Sequence, residues 1–140
     1  MKKKLLLCLL VAAMIPVLAS CIVTSKETHV EISCDKFREN PTGTRNEFTI
    51  GVGDKVFVEL CSNPTTGFNW SYEMSGDAVV KEEDYDYQEP GSDLAGAAGV
   101  EKWTFEGTEK GTAKIVLEYS QPWDGGTKRE WVYTLTITVE

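Results

Sequence analysis

Histidine is nearly absent: His29 is the single imidazole in 140 residues. A Ser-His-Asp or Cys-His catalytic set needs an imidazole beside its nucleophile. His29 lies next to an N-terminal tether, and no pair of carboxylates is singled out for hydrolysis, so an enzyme is not expected. Cysteine is scarce as well. Of four, Cys8 and Cys21 belong to the N-terminal leader region, leaving Cys34 and Cys61. Two thiols and one peripheral imidazole do not complete a four-ligand zinc site, so neither a metal nor a cofactor is expected. Positive charge is also short. The net charge is −8, and −11 once Lys2, Lys3 and Lys4 leave with the leader, which argues against electrostatic capture of nucleic acid. The acidic stretch from Glu82 to Glu89 lacks the spacing of a calcium loop and reads as a solvated face. No segment after the leader sustains a 3.6-residue period, which argues against a helical bundle. Disorder is excluded by what is present: 14 aromatic residues supply large apolar surfaces for a core.

The one long apolar run, Leu5 to Leu18, follows three lysines and is too short and one-sided for a comfortable transmembrane helix. It reads as a signal peptide. Its end, Leu18-Ala19-Ser20-Cys21, resembles the bacterial lipobox, in which the cysteine is lipidated and becomes the new N-terminus. The expected organisation is a signal peptide over 1–20, a lipidated Cys21 with a polar tether over 21–29, and a globular domain over 30–140. Acyl chains contribute about 0.8 kcal/mol per buried methylene, so a lipidated Cys21 would hold the domain at a bacterial membrane, on its periplasmic face or at the cell surface. No further apolar helix is required.

Within the domain, period-2 patterns recur: Val30/Ile32, Phe48/Ile50, Val56/Val58/Leu60, Phe68/Trp70/Tyr72, Trp103/Phe105, Ile115/Leu117/Tyr119 and Trp131/Tyr133/Leu135/Ile137/Val139. The last run carries Thr134, Thr136 and Thr138 on its other face, the one-side-wet pattern of an antiparallel sheet. Val79 to Tyr87 adds an acidic edge strand or loop entry. These runs predict an all-β, immunoglobulin-like antiparallel sandwich of about seven to eight strands, with a closed barrel as the alternative. Alternation puts Cys34 in phase with Val30 and Ile32, while Cys61 sits at a strand end out of phase with its neighbours. Whether the two form a disulfide is decided by a Cα separation that spacing alone does not supply.

One turn is unusual. Asn63-Pro64-Thr65-Thr66-Gly67 precedes Phe68-Asn69-Trp70. A hairpin explains Pro, which fixes φ, Asn, which bonds its own backbone, and Gly, which supplies a positive φ. It does not explain two adjacent threonines at the tip, whose small, uncharged, stiff side chains suit entry into a narrow cleft. A rigid tip also loses little entropy on binding.

From these residues the chain resembles the chagasin-type inhibitors of papain-like cysteine peptidases, over roughly residues 46–139. Residues 63–67 match the family's Asn-Pro-Thr-Thr-Gly loop completely. Gly96-Ala97-Ala98-Gly99, ahead of Trp103-Thr104-Phe105, falls where the family has Gly-x-Gly-Gly, with Ala98 as a departure. Gln121-Pro122-Trp123 falls where the family has Arg-Pro-Trp, with Gln121 as a second departure. The resemblance implies an immunoglobulin-like sandwich, acting as a monomer, that inhibits reversibly with three loops at one end. It implies that Thr65 and Thr66 cover the catalytic cysteine, that residues 96–99 run along the cleft, and that Trp123 anchors the third loop. A positive φ at Ala98 would cost roughly 1–2 kcal/mol; a negative one would cost nothing. Trp123 has a competing reading as a core residue. The competing function is a surface-anchored immunoglobulin-like binding or adhesion module that has lost inhibition, which predicts aromatics spaced along a sheet face instead of one Trp in a loop.

Overall fold

A computed structural model describes residues 24–92 and 94–140. The signal peptide over 1–20 and Cys21 lie outside the described residues. Eight strands form two four-stranded sheets: β1 (Glu27–Ile32), β2 (Thr44–Ile50), β3 (Lys55–Ser62), β4 (Asn69–Gly76), β5 (Val80–Gln88), β6 (Gly99–Gly107), β7 (Gly111–Ser120) and β8 (Trp131–Val139). One sheet has the order β1-β3-β6-β5 and the other β2-β8-β7-β4. Two stacked sheets make a sandwich, not a closed barrel. Strand β1 begins at Glu27, inside the segment assigned to the tether, because Thr28, Val30 and Ile32 alternate inward and pair with β3.

The sheets are mixed, which corrects the expectation of a purely antiparallel sandwich. Strand β1 runs parallel to β3, and β2 runs parallel to β8, while the remaining pairs are antiparallel. A parallel pair needs a crossover, and β2 supplies one by leaving the first sheet for the second before β3 returns. Inward alternation is the same for either strand direction, so periodicity could not distinguish the two.

Cys34 does not continue β1, as its phase suggested. It opens a short helix, α1 (Cys34–Glu39), capped by Ser33, whose side chain accepts from the Lys36 N–H at 3.3 Å. Phe37 of α1 is fully buried between Trp70 and Trp131, with ring centroids 5.1 Å from each. The helix is thereby part of the core. The core itself is what the alternation predicts: Val56, Val58, Leu60, Phe105, Ile115, Leu117, Tyr133, Leu135 and Ile137 are all fully buried. Each large apolar side chain so buried contributes about 1.5–3 kcal/mol. Among the described residues the buried core runs from Ile32 to Val139.

Strand β5 is the edge of its sheet, with Glu82, Glu83, Asp84 and Asp86 exposed and a register shift between Glu82 and Asp84. Charge and a bulge both deter edge-to-edge pairing.

Candidate functional site

Strand register brings the three loops to one end. Ser62 of β3 lies opposite Gly99 of β6, so the turn after β3 and the segment before β6 are neighbours. Asn69 of β4 lies opposite Ser120 of β7, and Tyr119 lies opposite Trp131, which puts the β7–β8 connection beside the same turn. The turn over residues 63–67 passes from one sheet to the other and is therefore central. Beneath it lies an aromatic cluster: Tyr119 stacks on Trp131 at 4.8 Å and on Phe68 at 5.2 Å, with Trp70 at 5.0 Å. Trp70 Nε1 donates to the Cys61 carbonyl at 3.0 Å.

The first loop is one 3₁₀ turn over Pro64–Thr66, organised by Asn63. The Asn63 N–H donates to the Tyr119 hydroxyl oxygen at 2.7 Å, and its carbonyl accepts from the Thr66 N–H at 3.1 Å and the Thr66 hydroxyl at 2.6 Å. Its side-chain oxygen accepts from the Thr65 hydroxyl at 2.6 Å. Both threonine hydroxyls are thus satisfied within the loop, and Pro64, Thr65 and Thr66 are exposed. The tip offers methyl groups on a pre-ordered backbone, so little entropy remains to be lost on docking.

Two contacts join this loop to the others. Asn63 Nδ2 donates to the Gly96 carbonyl at 3.2 Å, tying the first loop to the second. Gly67 has φ 79, and a Cβ there would overlap the Trp123 ring, so both its conformation and the packing of the third loop require glycine. Trp123 is 50% exposed, which removes the core reading: it leans on Gly67 and keeps much of its ring free. Truncating Trp123 to Ala should raise the dissociation constant for a partner docked on these loops at least tenfold, about 1.4 kcal/mol. Binding titrations would detect this, and an unchanged constant would exclude Trp123 from the interface.

In the second loop Gly96 has φ 82, and the Ala97 N–H donates to the Leu94 carbonyl at 3.0 Å. Among the described residues the only non-glycine with positive φ is Arg129. Ala98 is therefore free of left-handed strain, and it is exposed. Gly99 is the buried first residue of β6, not part of a free tip.

Gln121 is half-buried and works inside the third loop: its side-chain oxygen accepts from the Thr127 N–H at 2.9 Å. Pro122 beside it is exposed. Lys128 Nζ donates to the Trp123 carbonyl at 3.0 Å and also to the Gln121 carbonyl, and the Gly126 N–H donates to the Trp123 carbonyl at 3.1 Å. These bonds hold Trp123 in place.

Three features lie near the site: one that the sequence left open, the disulfide, and two that escaped its reading, helix α1 and Glu101. Cys34 and Cys61 are disulfide-bonded, with Cα atoms 5.2 Å apart, which closes the question that spacing left open. Helix α1 is thereby fastened two residues before Asn63. Glu101 is 4% exposed and accepts from the Ser62 hydroxyl at 2.6 Å and the Tyr85 hydroxyl at 3.0 Å. Partial burial and the Glu101 charge push the Tyr85 phenol up to about 12, so at neutral pH it remains a donor. This buried carboxylate ties β5 to the neighbouring ends of β3 and β6. Its phase with Trp103 and Phe105 was the available signal, obscured by its charge.

The family model Chagasin family peptidase inhibitor I42 matches residues 49–137. Chagasin from Trypanosoma cruzi is 37% identical over 81 residues, covering 55% of this chain and 74% of chagasin. Among solved structures, a cysteine protease inhibitor from Entamoeba histolytica aligns with TM-score 0.62 at 17% identity, covering 81% of this chain and 97% of its own. PbICP-C, solved in complex with falcipain-2, aligns with TM-score 0.52 at 18% identity, covering 82% of this chain and 98% of its own. At those identities the two structures establish the fold alone. With a family match across more than half its length, the chain belongs to the chagasin family of peptidase inhibitors.

Proposed function

We propose that the domain is a reversible inhibitor of papain-like cysteine peptidases that occludes the active-site cleft with residues 63–67, 96–98 and 121–123. The observation that carries this reading is the bracing of the Thr65-Thr66 tip from both sides, by the Asn63–Gly96 hydrogen bond and by the Trp123–Gly67 contact. The tip is a 3₁₀ turn, so no extended peptide with an attackable carbonyl lies in register over the catalytic thiolate. Its methyl groups fill the space above the sulfur, while Ala98 and the backbone beside it run along the cleft. Trp123 contributes apolar area at the third loop. Inhibition is then occlusion without cleavage. Titration of papain on a fluorogenic peptide with a soluble protein comprising residues 24–140 tests it. Nanomolar, reversible, substrate-competitive inhibition is expected; a folded domain without any inhibition would refute the proposal.

The leader over 1–20 and the lipobox-like Leu18-Ala19-Ser20-Cys21 support export, with lipidation at Cys21 and tethering to a bacterial membrane. Replacing Cys21 with Ser should shift the protein from the membrane to the soluble fraction. Retention in the membrane fraction would refute lipid anchoring.

A further inference from the structure

The geometry points to helix α1 as a fourth contact of the peptidase-binding end, with Arg38 recognising a carboxylate on the peptidase surface. This rests on the functional reading above and extends it to a segment that precedes the matched family residues 49–137. The helix is a rigid platform despite its six residues. The disulfide fastens Cys34 to β3, and Phe37 is locked between Trp70 and Trp131. Cys34 and Arg38, four residues apart, share one flank of the helix.

That flank faces the inhibitory loops. A cleft of about 210 Å³ is lined by Cys34 and Arg38 of the helix together with Thr66, Ala98, Phe68 and Trp131. A neighbouring cleft of about 390 Å³ is also lined by Cys34 and Arg38, and by Gly96 and Ala98 of the second loop. Arg38 therefore borders both clefts at the same edge as the second loop. A peptidase surface that closes over Thr66 and Ala98 meets Arg38 as well.

The chemistry of the contact follows from charge. Lys128 is engaged by the carbonyls of Gln121 and Trp123, and Arg129 pairs with Glu118. Arg38 is 66% exposed and pairs with Asp35, itself 84% exposed, one turn away on its own helix. Such a surface pair is weak and easily exchanged. A guanidinium presents donors in a planar fork that matches a carboxylate, so an Asp or Glu on the rim of the peptidase cleft is the complementary group.

The test is inhibition of papain by residues 24–140 as wild type, Arg38→Glu and Arg38→Gln, over a range of salt concentrations. Arg38→Glu should raise the dissociation constant at least tenfold and Arg38→Gln at least threefold, with unchanged unfolding temperatures. The association rate of both variants should depend less on salt than that of the wild type. Should Arg38→Glu disturb folding, the neutral Arg38→Gln carries the test alone. Inhibition by both variants as tight as the wild type's would overturn the proposal while leaving the three-loop mechanism standing. Self-association in sedimentation, abolished by Arg38→Glu with inhibition unchanged, would also overturn it by assigning the cleft to a second copy of this chain. A wild-type protein that does not inhibit would fail the functional reading itself, and this extension with it.

Discussion

Replacing Thr65 and Thr66 together with aspartate should weaken inhibition at least a hundredfold, about 2.7 kcal/mol, while leaving the unfolding temperature nearly unchanged. The expectation of unchanged stability comes from exposure. Neither threonine contributes to the core, and among the described residues their side-chain hydrogen bonds are local ones to Asn63. Surface substitutions of this kind usually alter stability by less than about 0.5 kcal/mol. The expected loss of affinity comes from desolvation. In a closed interface the aspartates would carry two carboxylates into a narrow, water-poor cleft beside an anionic sulfur, with no cation of this chain's first loop to pair them. The loop would keep its 3₁₀ turn, because Pro64 and Gly67 set its backbone. Parallel measurements of the dissociation constant and of thermal unfolding decide the matter. Undiminished inhibition would place this loop outside the cleft, and a collapse of the fold would make the turn structural.

Removing the disulfide should produce the largest loss of stability. The bridge joins residues separated by 27 positions, and on the chain-entropy account closing such a loop stabilises the native state by about 3–4 kcal/mol. That is a large share of the roughly 5–15 kcal/mol typical of a domain. In a protein comprising residues 24–140, Cys34 and Cys61 are the only cysteines, so a Cys34→Ala/Cys61→Ala variant isolates the effect. Its urea midpoint should fall markedly and its slope should rise, because the unfolded chain without the cross-link exposes more surface. An unchanged midpoint, or two free thiols in the unreduced wild type, would show that the bridge does not form. Phe37 also fastens α1 to the core through Trp70 and Trp131, so the variant should stay folded and α1 should retain its aromatic contacts.

Much of the fold was legible in the residues because strand alternation is a local signal. The run from Trp131 to Val139 shows its buried and wet faces within nine residues, and the structure buries Tyr133, Leu135, Ile137 and Val139 accordingly. Helix α1 was not legible, since six residues complete fewer than two turns and cannot display a 3.6-residue period. Its one local mark is Ser33 ahead of Asp35, a cap and an acidic first turn. The direction of β1 and β2 was hidden for a different reason: side chains alternate identically in parallel and antiparallel pairs, so only the path of the chain separates them. Glu101 lay in the inward phase, yet nothing local indicates that Ser62, 39 residues away, and Tyr85 would satisfy it.

The residues by themselves determined which faces are buried and which turns are rigid, because propensity, alternation and the backbone preferences of Pro and Gly act over a few neighbours. They also determined the loop chemistry, Asn63 through Gly67 above all. The tertiary structure decided what depends on distant partners. It set Trp123 against Gly67, joined Asn63 to Gly96 across 33 residues, turned Gln121 inward onto Thr127, and left Ala98 without left-handed strain. It also brought Arg38 to the edge shared with the first two loops. Such contacts form only when the two sheets close on one another, and no local pattern records which loops will then meet.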